Sequence, residues 1–492
     1  MIFWIAFIIC GAGIAGLFYL DRNPSTRNSK ALWLPVIWLW IAGSRSVSAW
    51  FGIGGESAGA LASTLDGSPL DAAIYATLMA AGMMVLFLRS HRTIVLLKKN
   101  GPILIYLLYC LASISWSPIP EPAFKRWIKD VGDVVMALVL VTDSHPIEAL
   151  RRLYSRVGFI LLPFSILLIR YTDLGRAFTP DGEPMNTGVT TNKNALGLIV
   201  FLVSLGALWN VRALLKDDEV PNRNRRLVAQ GALLTFGLVL LQMAHCATAV
   251  ACFVLGGGLV LVTSLRVIRS RPARVNVLCL VIVLGGGLTM LLGGQSIVTN
   301  ALGRQENMGR TDIWSAAIAA AGNPVIGTGF ESFWNTNVHK VARGLPGYWD
   351  MNDLATAHNG YIEVYLNLGW VGVTLIVLIL ISGYRRAFDV FQRNPDLGSL
   401  ILAYVVTSTF YSITESGFRV LTPSWIFLLF AVVSASGFVA GLFGDETSDI
   451  RDSRVGTAGE ATGRNRLSLA GGIYATRLEL KKGGLSRGNN LR

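Results

Sequence analysis

Thirteen apolar stretches run through this chain, separated by short segments that carry charge or clusters of glycine and proline. A helix needs roughly 20 mainly apolar residues to cross a bilayer. We therefore predict an all-α fold, a polytopic transmembrane helical bundle of about 12–13 spans. The predicted spans are 2–20, 31–50, 72–88, 102–117, 128–142, 157–171, 195–210, 227–244, 248–264, 276–293, 368–383, 399–412 and 425–442.

The composition excludes several other classes of protein. Only 15% of the 492 residues are charged, whereas soluble proteins carry about 25%. A soluble enzyme with one core, a disordered chain and a coiled coil are therefore excluded. The net charge of +13 does not indicate nucleic acid, because Lys and Arg accumulate in the cytoplasmic loops of membrane proteins. The five cysteines form no CxxC pair, and they indicate neither disulfides nor a zinc site.

The loops between the predicted spans alternate in charge. The segment 51–71 has acidic residues and no Lys or Arg, whereas a second set of loops is basic. The positive-inside rule assigns the basic set to the cytoplasm, with the amino terminus outside and the carboxyl terminus inside. The basic loops are 21–30, 89–100, 210–226, 265–275 and 384–398.

Two external connections are long, 170–194 and 294–369. The second has about 75 residues, far more than neighbouring helices need, and long loops in compact proteins are usually functional. Its pattern predicts a short amphipathic helix over 310–322, a tight turn over 323–330 and a helical segment over 357–370. We thus divide the chain into a transmembrane domain, 1–442, and a disordered basic cytoplasmic tail, 443–492.

The helical segment over 357–370 contains a histidine and a carboxylate five residues apart. His358 shares one predicted helical face with Ile362, Tyr365 and Leu366. Glu363 lies well round the helix from His358, which argues against a simple histidine–glutamate pair on this helix.

The motifs of the long loop resemble those of a known family. Arg310, Trp314 and Pro324-x-x-Gly327-x-Gly329 are followed by His358-Asn359-x-Tyr361 and Gly369. This pattern resembles the O-antigen ligase and polymerase family of bacterial inner-membrane proteins. Three further motifs are similar to its exopolysaccharide-polymerase branch: Trp127-x-x-Asp130, Thr191-Asn-Lys-Asn-Ala-Leu-Gly197 and Glu415-Ser-Gly-Phe418.

The resemblance implies glycosyl transfer on the external, periplasmic face of the inner membrane. The reducing-end sugar of an undecaprenyl-pyrophosphate-linked glycan moves onto the hydroxyl of a glycan acceptor, and the lipid pyrophosphate leaves. Arg310 and His358 match the catalytic Arg and His of the family. The partners are the lipid-linked glycan, the acceptor and the membrane, with a chain-length regulator and a flippase as candidate partner proteins. No cofactor is implied.

The chemistry of such a site indicates a role for each residue type. Arginine binds phosphate oxygens bidentately and stays protonated, and a histidine is suited to accept the proton of the hydroxyl. The external loops have no DxD cluster, so the sequence does not require a metal. Three cations compete for a second pyrophosphate contact, and four more residues are candidates for support. The cations are Lys193, Arg170 and Arg176; the supporting candidates are Glu363 and Asp312 as reserve bases, and Glu415 and Arg419 as a pair in the wall of the site.

Other functions stay open at this point. A ligase would use the same donor and move the glycan to lipid A-core or another acceptor. A polyprenol-linked glycan transporter or flippase is an alternative of another class, although transporters place their polar site near the bilayer midplane. A sensor or scaffold that binds glycolipid without chemistry is the third alternative.

Overall fold

The structure is a computed structural model, and it confirms the all-α fold. It describes residues 2–23, 28–53, 68–178, 182, 184–217, 220–269, 271, 273–291, 310–345 and 354–443. The predicted cytoplasmic tail beyond Phe443 therefore lies outside the described residues. The helices up to the first long connection are α1 (Ile2–Leu20), α2 (Trp33–Ala42), α3 (Val47–Trp50), α4 (Pro69–Leu88), α5 (Ser90–Lys99), α6 (Gly101–Ser113), α7 (Pro120–Val141) and α8 (Pro146–Tyr171).

The rest of the described chain is also mainly helical. A small antiparallel hairpin, β1 (Arg176–Phe178) with β2 (Pro184–Asn186), lies in the first long connection. Short 3-10 turns occur at Lys30–Leu32, Ile114–Trp116 and Asp173–Gly175. The later helices are α9 (Lys193–Lys216), α10 (Arg223–Ala244), α11 (Ala247–Val262), α12 (Arg266–Arg269), α13 (Ala273–Leu291), α14 (Arg310–Ala319), α15 (Phe333–Gly344), α16 (Gly360–Arg393), α17 (Pro395–Thr414) and α18 (Pro423–Val439).

Each of the thirteen predicted spans overlaps a helix, although 31–50 is divided between α2 and α3, and fewer helices qualify as spans by themselves. Among the described residues, seven helices are long and apolar enough, or eight if the bent pair formed by α5 and the segment Gly101–Trp116 is one span. The shorter apolar helices are Lys30–Ala42, Ala247–Val262, Ala273–Gly285 and Pro423–Val439. The helix α7 has many charged residues in its first half. Length and composition thus support a smaller number than 12–13.

The predicted basic loops meet at one end of the helix bundle, which we call the basic end. Arg89 forms an ion pair with Asp143, and Arg226 lies near both Asp21 and Glu148. The ion pairs of Asp396 with Arg212 and Lys216 join the loop 384–398 to the loop 210–226 there. The alternation of charge predicted from the sequence therefore corresponds to two opposite ends of the structure.

The opposite end, which we call the loop end, is organised by polar caps on the helices. The Ser68 hydroxyl and the Asp71 carboxylate form a reciprocal capping box at the start of α4. Asn192 caps α9 by accepting from the amide of Ala195, and Asn359 caps α16 by accepting from the next amides along the chain. These caps satisfy N–H groups that the first turn of a helix leaves without partners.

The external loop inserts into a break in α16. Gly369 has a φ of +63°, and the backbone of 323–329 occupies the gap that this break leaves. The amides of Trp370 and Val371 donate to the carbonyls of Pro324 and Val325, at 2.9 and 3.2 Å. The amides of Thr328 and Gly329 donate in turn to carbonyls of the preceding helical turn. The glycines of this motif permit the approach, since a Cβ on Gly327 would lie 2.4 Å from the backbone of Asn367.

The short helix predicted over 310–322 is present as α14, and it encloses a small core with α15, which was not predicted, and the start of α16. The helix α14 ends three residues earlier than predicted, and its Ala317 packs against α15 and the start of α16. Its Ile318 faces outward and is exposed. This core contains Ala316, Ala317, Phe333, Trp334, Val341, Leu345, Leu354, Ala357 and Leu366.

Candidate functional site

Glu415 is the acceptor around which the candidate site is assembled. It follows α17 directly, and its side chain is only 7% exposed. Its Oε1 atom accepts from Arg310 Nη2 at 3.1 Å and from Asn194 Nδ2 at 3.2 Å, and its Oε2 atom lies 3.1 Å from His358 Nδ1. Burying a carboxylate is costly unless it is paired and hydrogen-bonded. Glu415 therefore ties residues from four separate parts of the chain together.

Arg310 reaches this carboxylate from the first residue of α14. Its Nη1 group donates to the carbonyl oxygen of Thr414, and its Nη2 group donates to Glu415. A guanidinium has five N–H donors, so these two bonds leave others for a ligand. The side chain is 18% exposed, which keeps it accessible from the loop end.

His358 is not on the helix where the sequence placed it. The helix α16 begins at Gly360, and His358 precedes it with a left-handed φ of +47°. The reason is the N-terminal cap of α16. The Asn359 side chain accepts from the amides of Tyr361 and Ile362 and so fixes the start of the helix after His358. The predicted helical face with Ile362 is therefore wrong for His358. Its ring is 36% exposed, and the tautomer that donates Nδ1–H to the Glu415 carboxylate has a lone pair on Nε2 that can act as a base.

Lys193 lies beside this group. Its neighbour Asn194 bonds to Glu415, and both residues open α9. Lys193 is therefore one residue away from a direct partner of Glu415.

Three other predicted residues do not join the group. Arg170 is exposed at the end of α8, and Arg176 is exposed on β1, where it pairs with Asp173 at 3.3 Å. Asp312 is exposed in the first turn of α14. None of the three contacts Arg310, His358 or Glu415 in the described part of the chain.

Arg419 belongs to a second ion pair, so the predicted pair with Glu415 is wrong. Its Nη2 group donates to Glu331 Oε2 at 2.7 Å, and its Nη1 group donates to the carbonyl of Ala355 at 3.2 Å. Burial lowers the pKa of Arg419, but the charges of Glu331 and Glu363 raise it above its ordinary value overall. Glu331 has a φ of +49°, and Arg126, which is fully buried, donates to its carbonyl oxygen. These contacts join the external loop to α7.

Glu363 is buried behind His358 and does not touch it. Its carboxylate accepts from the indole N–H of Trp334 at 2.8 Å, from the amide of Ala357 at 2.5 Å and from the hydroxyl of Ser416 at 3.3 Å. It is 2% exposed. A reserve base would need access to a hydroxyl of the substrate, and this arrangement gives it none.

Sequence reasoning missed Asn194 and Glu331. Asn194 lies within the motif Thr191 to Gly197, where the charge of the neighbouring Lys193 is the more obvious indication of a phosphate contact. Glu331 follows the glycine turn directly, and its contacts with Arg126 and Arg419 span 205 and 88 residues. No local pattern marks such contacts. Within the described residues there is no cluster of three His, Cys, Asp or Glu side chains that could hold a metal ion.

The fold and the site together define a multi-pass membrane protein with its candidate chemistry at one end of a helix bundle. Residues 230–377 match the family profile described as O-antigen ligase. The chain is also 25% identical over 311 residues to the exopolysaccharide production protein ExoQ of Rhizobium meliloti (strain 1021), covering 60% of this chain and 67% of that protein. These findings confirm the resemblance to the O-antigen ligase and polymerase family, and they support a membrane role in glycan processing.

Proposed function

We propose that this protein is a membrane glycosyltransferase that polymerises an undecaprenyl-pyrophosphate-linked oligosaccharide. The observation that carries the proposal is the meeting of Arg310, His358 and Glu415, with Lys193 next to the bonded Asn194, at the end of the bundle opposite the basic loops. By the positive-inside rule, that end is the periplasmic face of the bacterial inner membrane.

The proposed reaction assigns one task to each side chain. The oxygen of an acceptor hydroxyl attacks the anomeric carbon of the reducing-end sugar, and its proton passes to His358 Nε2. The bond between that carbon and the pyrophosphate oxygen breaks, and its electron pair leaves with the lipid pyrophosphate. Arg310 and Lys193 neutralise the charge on the leaving group. Glu415 orients the imidazole, a role that carboxylates commonly have beside a histidine base.

The relative favours a polymerase over a ligase. The R. meliloti protein is named for exopolysaccharide production, and we extend that role to this chain. The two reactions share the donor and the leaving group and differ in the acceptor. A chain-length regulator and a flippase are the partner proteins that polymerisation implies.

The test uses lipid-linked oligosaccharide that accumulates in a bacterial strain lacking this gene. The purified full-length protein is mixed with this material, and polymer formation is followed by electrophoresis. We expect His358→Ala and Arg310→Ala each to lower the rate by about 100-fold or more, with normal amounts of protein in the membrane.

The matched controls are His339→Ala and Arg343→Ala. Both side chains are exposed on α15 in the same loop, and we expect wild-type rates. Normal polymer formation by the His358→Ala variant would contradict the proposal. Flipping of the lipid-linked glycan across vesicles without any change in its length would instead support the transporter alternative.

A further inference from the structure

Side chains form hydrogen bonds with the segment 355–357, just before His358, at two of its backbone carbonyls and at the Thr356 hydroxyl. The carbonyl of Ala355 accepts from Arg419, and the carbonyl of Ala357 accepts from the indole of Trp314 at 2.7 Å. The Thr356 hydroxyl contacts the Ser416 hydroxyl, and it accepts from the amide of His358 at 3.1 Å. A histidine with positive φ is strained, and such residues persist only where the surroundings hold them.

The Glu363 side chain contacts two chain segments of the candidate site, one ending at His358 and one beginning at Glu415. One of its partners is the amide of Ala357, the residue before His358. Another is the hydroxyl of Ser416, the residue after Glu415. Because His358 and Glu415 are hydrogen-bonded to each other, Glu363 braces the two residues next to this pair.

The position of the carboxylate is itself fixed. The indole N–H of Trp334 lies 3.1 and 2.8 Å from its two oxygens. Glu363 is the fourth residue of α16, whose cap Asn359 also bonds to the carbonyl of Ile413 at 3.0 Å. A buried carboxylate surrounded by donors is costly to move.

We infer that Glu363 is a positioning residue that sets the alignment of His358 with Glu415, and not a base in its own right. The inference rests on the proposed function, since it gives Glu363 a task in that reaction. A misplacement of about 1 Å in a catalytic group can cost about 100-fold in rate. A carboxylate that fixes two neighbours of the pair can therefore control turnover without touching the substrate.

The test compares Glu363→Gln, Glu415→Gln and the double variant, using the full-length protein and lipid-linked oligosaccharide from the deletion strain. We expect Glu363→Gln to lower kcat by about 10- to 100-fold and to change KM by no more than about twofold. In the Glu415→Gln background the same change should cost less than about threefold, since residues that act as a unit are not additive.

Independent, multiplicative effects of the two substitutions would overturn the inference, as would a change confined to KM. Asn337→Ala is the control, because this side chain lies on the same helix as Trp334 but bonds to Phe333 and Thr336 and not to Glu363. An equal loss of kcat in this control would assign Glu363 a general structural role. If Glu363→Gln fails to accumulate, Ser416→Ala removes one of the two braced contacts and is measured in its place. A fully active His358→Ala variant would refute the proposed function itself.

Discussion

Two arginine–glutamate pairs lie at the loop end, and they differ in how many hydrogen-bonding groups they keep accessible to a ligand. In the pair of Arg419 with Glu331, the guanidinium bonds to both carboxylate oxygens and to a backbone carbonyl, and the two side chains are 11% and 7% exposed. In the pair of Arg310 with Glu415, the carboxylate also holds an imidazole that is 36% exposed. The first pair is closed and joins the loop to the bundle. The second pair keeps a base and N–H donors accessible, so only the second suits chemistry.

The largest expected effect separates the two pairs by stability. Arg419→Ala leaves Glu331 buried without its cation, and removing one partner of a buried ion pair typically costs about 3–5 kcal/mol. We expect a clearly lower melting temperature for the detergent-solubilised protein. Arg310→Ala should change it less, because Glu415 keeps its hydrogen bonds with Asn194 and His358. Equal melting temperatures for Arg419→Ala and the wild type would contradict the structural role that we give to the pair of Arg419 with Glu331.

The next effect separates the two carboxylates by activity. Glu415→Gln keeps the shape of the side chain but no longer stabilises a protonated His358, so we expect about 100-fold slower polymer formation. Glu331→Gln should lower the melting temperature and leave the rate per folded molecule within about threefold. The measurement is the rate divided by the amount of folded protein. Similar losses of rate for both variants would mean that the closed pair also takes part in the reaction.

A smaller effect tests how firmly the loop is joined to the bundle. Gly327 has a φ of +69° and faces the backbone of Asn367, so Gly327→Ala should destabilise the protein by about 1–3 kcal/mol. Gly322→Ala is the matched control in the same loop, because a Cβ there meets no atom within 4 Å. Thermal unfolding of the two variants compares them. A harmless Gly327→Ala substitution would contradict the described turn.

The smallest expected effect ranks the three cations of the first long connection. Lys193→Ala should raise KM for the lipid-linked oligosaccharide by about tenfold, corresponding to one lost phosphate contact. Arg170→Ala and Arg176→Ala should each raise it less, because those side chains lie apart from Arg310. A larger effect of Arg176→Ala would place the leaving group nearer to the β-hairpin.

The sequence predicts the fold well where local physical patterns decide it. Apolar length locates the helices, and charge identifies the two ends of the bundle. The motif around Arg310 and His358 locates two residues of the candidate site. The pairing of the glutamates could not be predicted in the same way. Glu415 and Arg419 are four residues apart and look like a local pair, but the chain between Ser416 and Thr422 turns away and brings Arg419 to Glu331 instead.

The position of His358 was misjudged for a related reason. The sequence pattern extends the helix back through His358, but the Asn359 cap makes the helix begin at Gly360. A capping asparagine inside an apolar pattern is a recognisable signal. The role of Glu363 needed the three-dimensional structure, since its partner Ser416 lies 53 residues away.

The insertion of the loop into the break of α16 has a consequence for how the site can open. The carbonyls of Pro324 and Val325 stand in for the missing helical turn at Trp370 and Val371. If this part of the loop moved away, those amides would have no hydrogen-bond acceptor beside apolar helices. Each unpaired amide would then cost several kcal/mol of stability. The loop therefore supplies the hydrogen-bond acceptors that the broken helix lacks at this point. Its amide hydrogens at Thr328 and Gly329 should exchange with solvent as slowly as those of the helix itself, and any motion that admits a substrate must occur elsewhere.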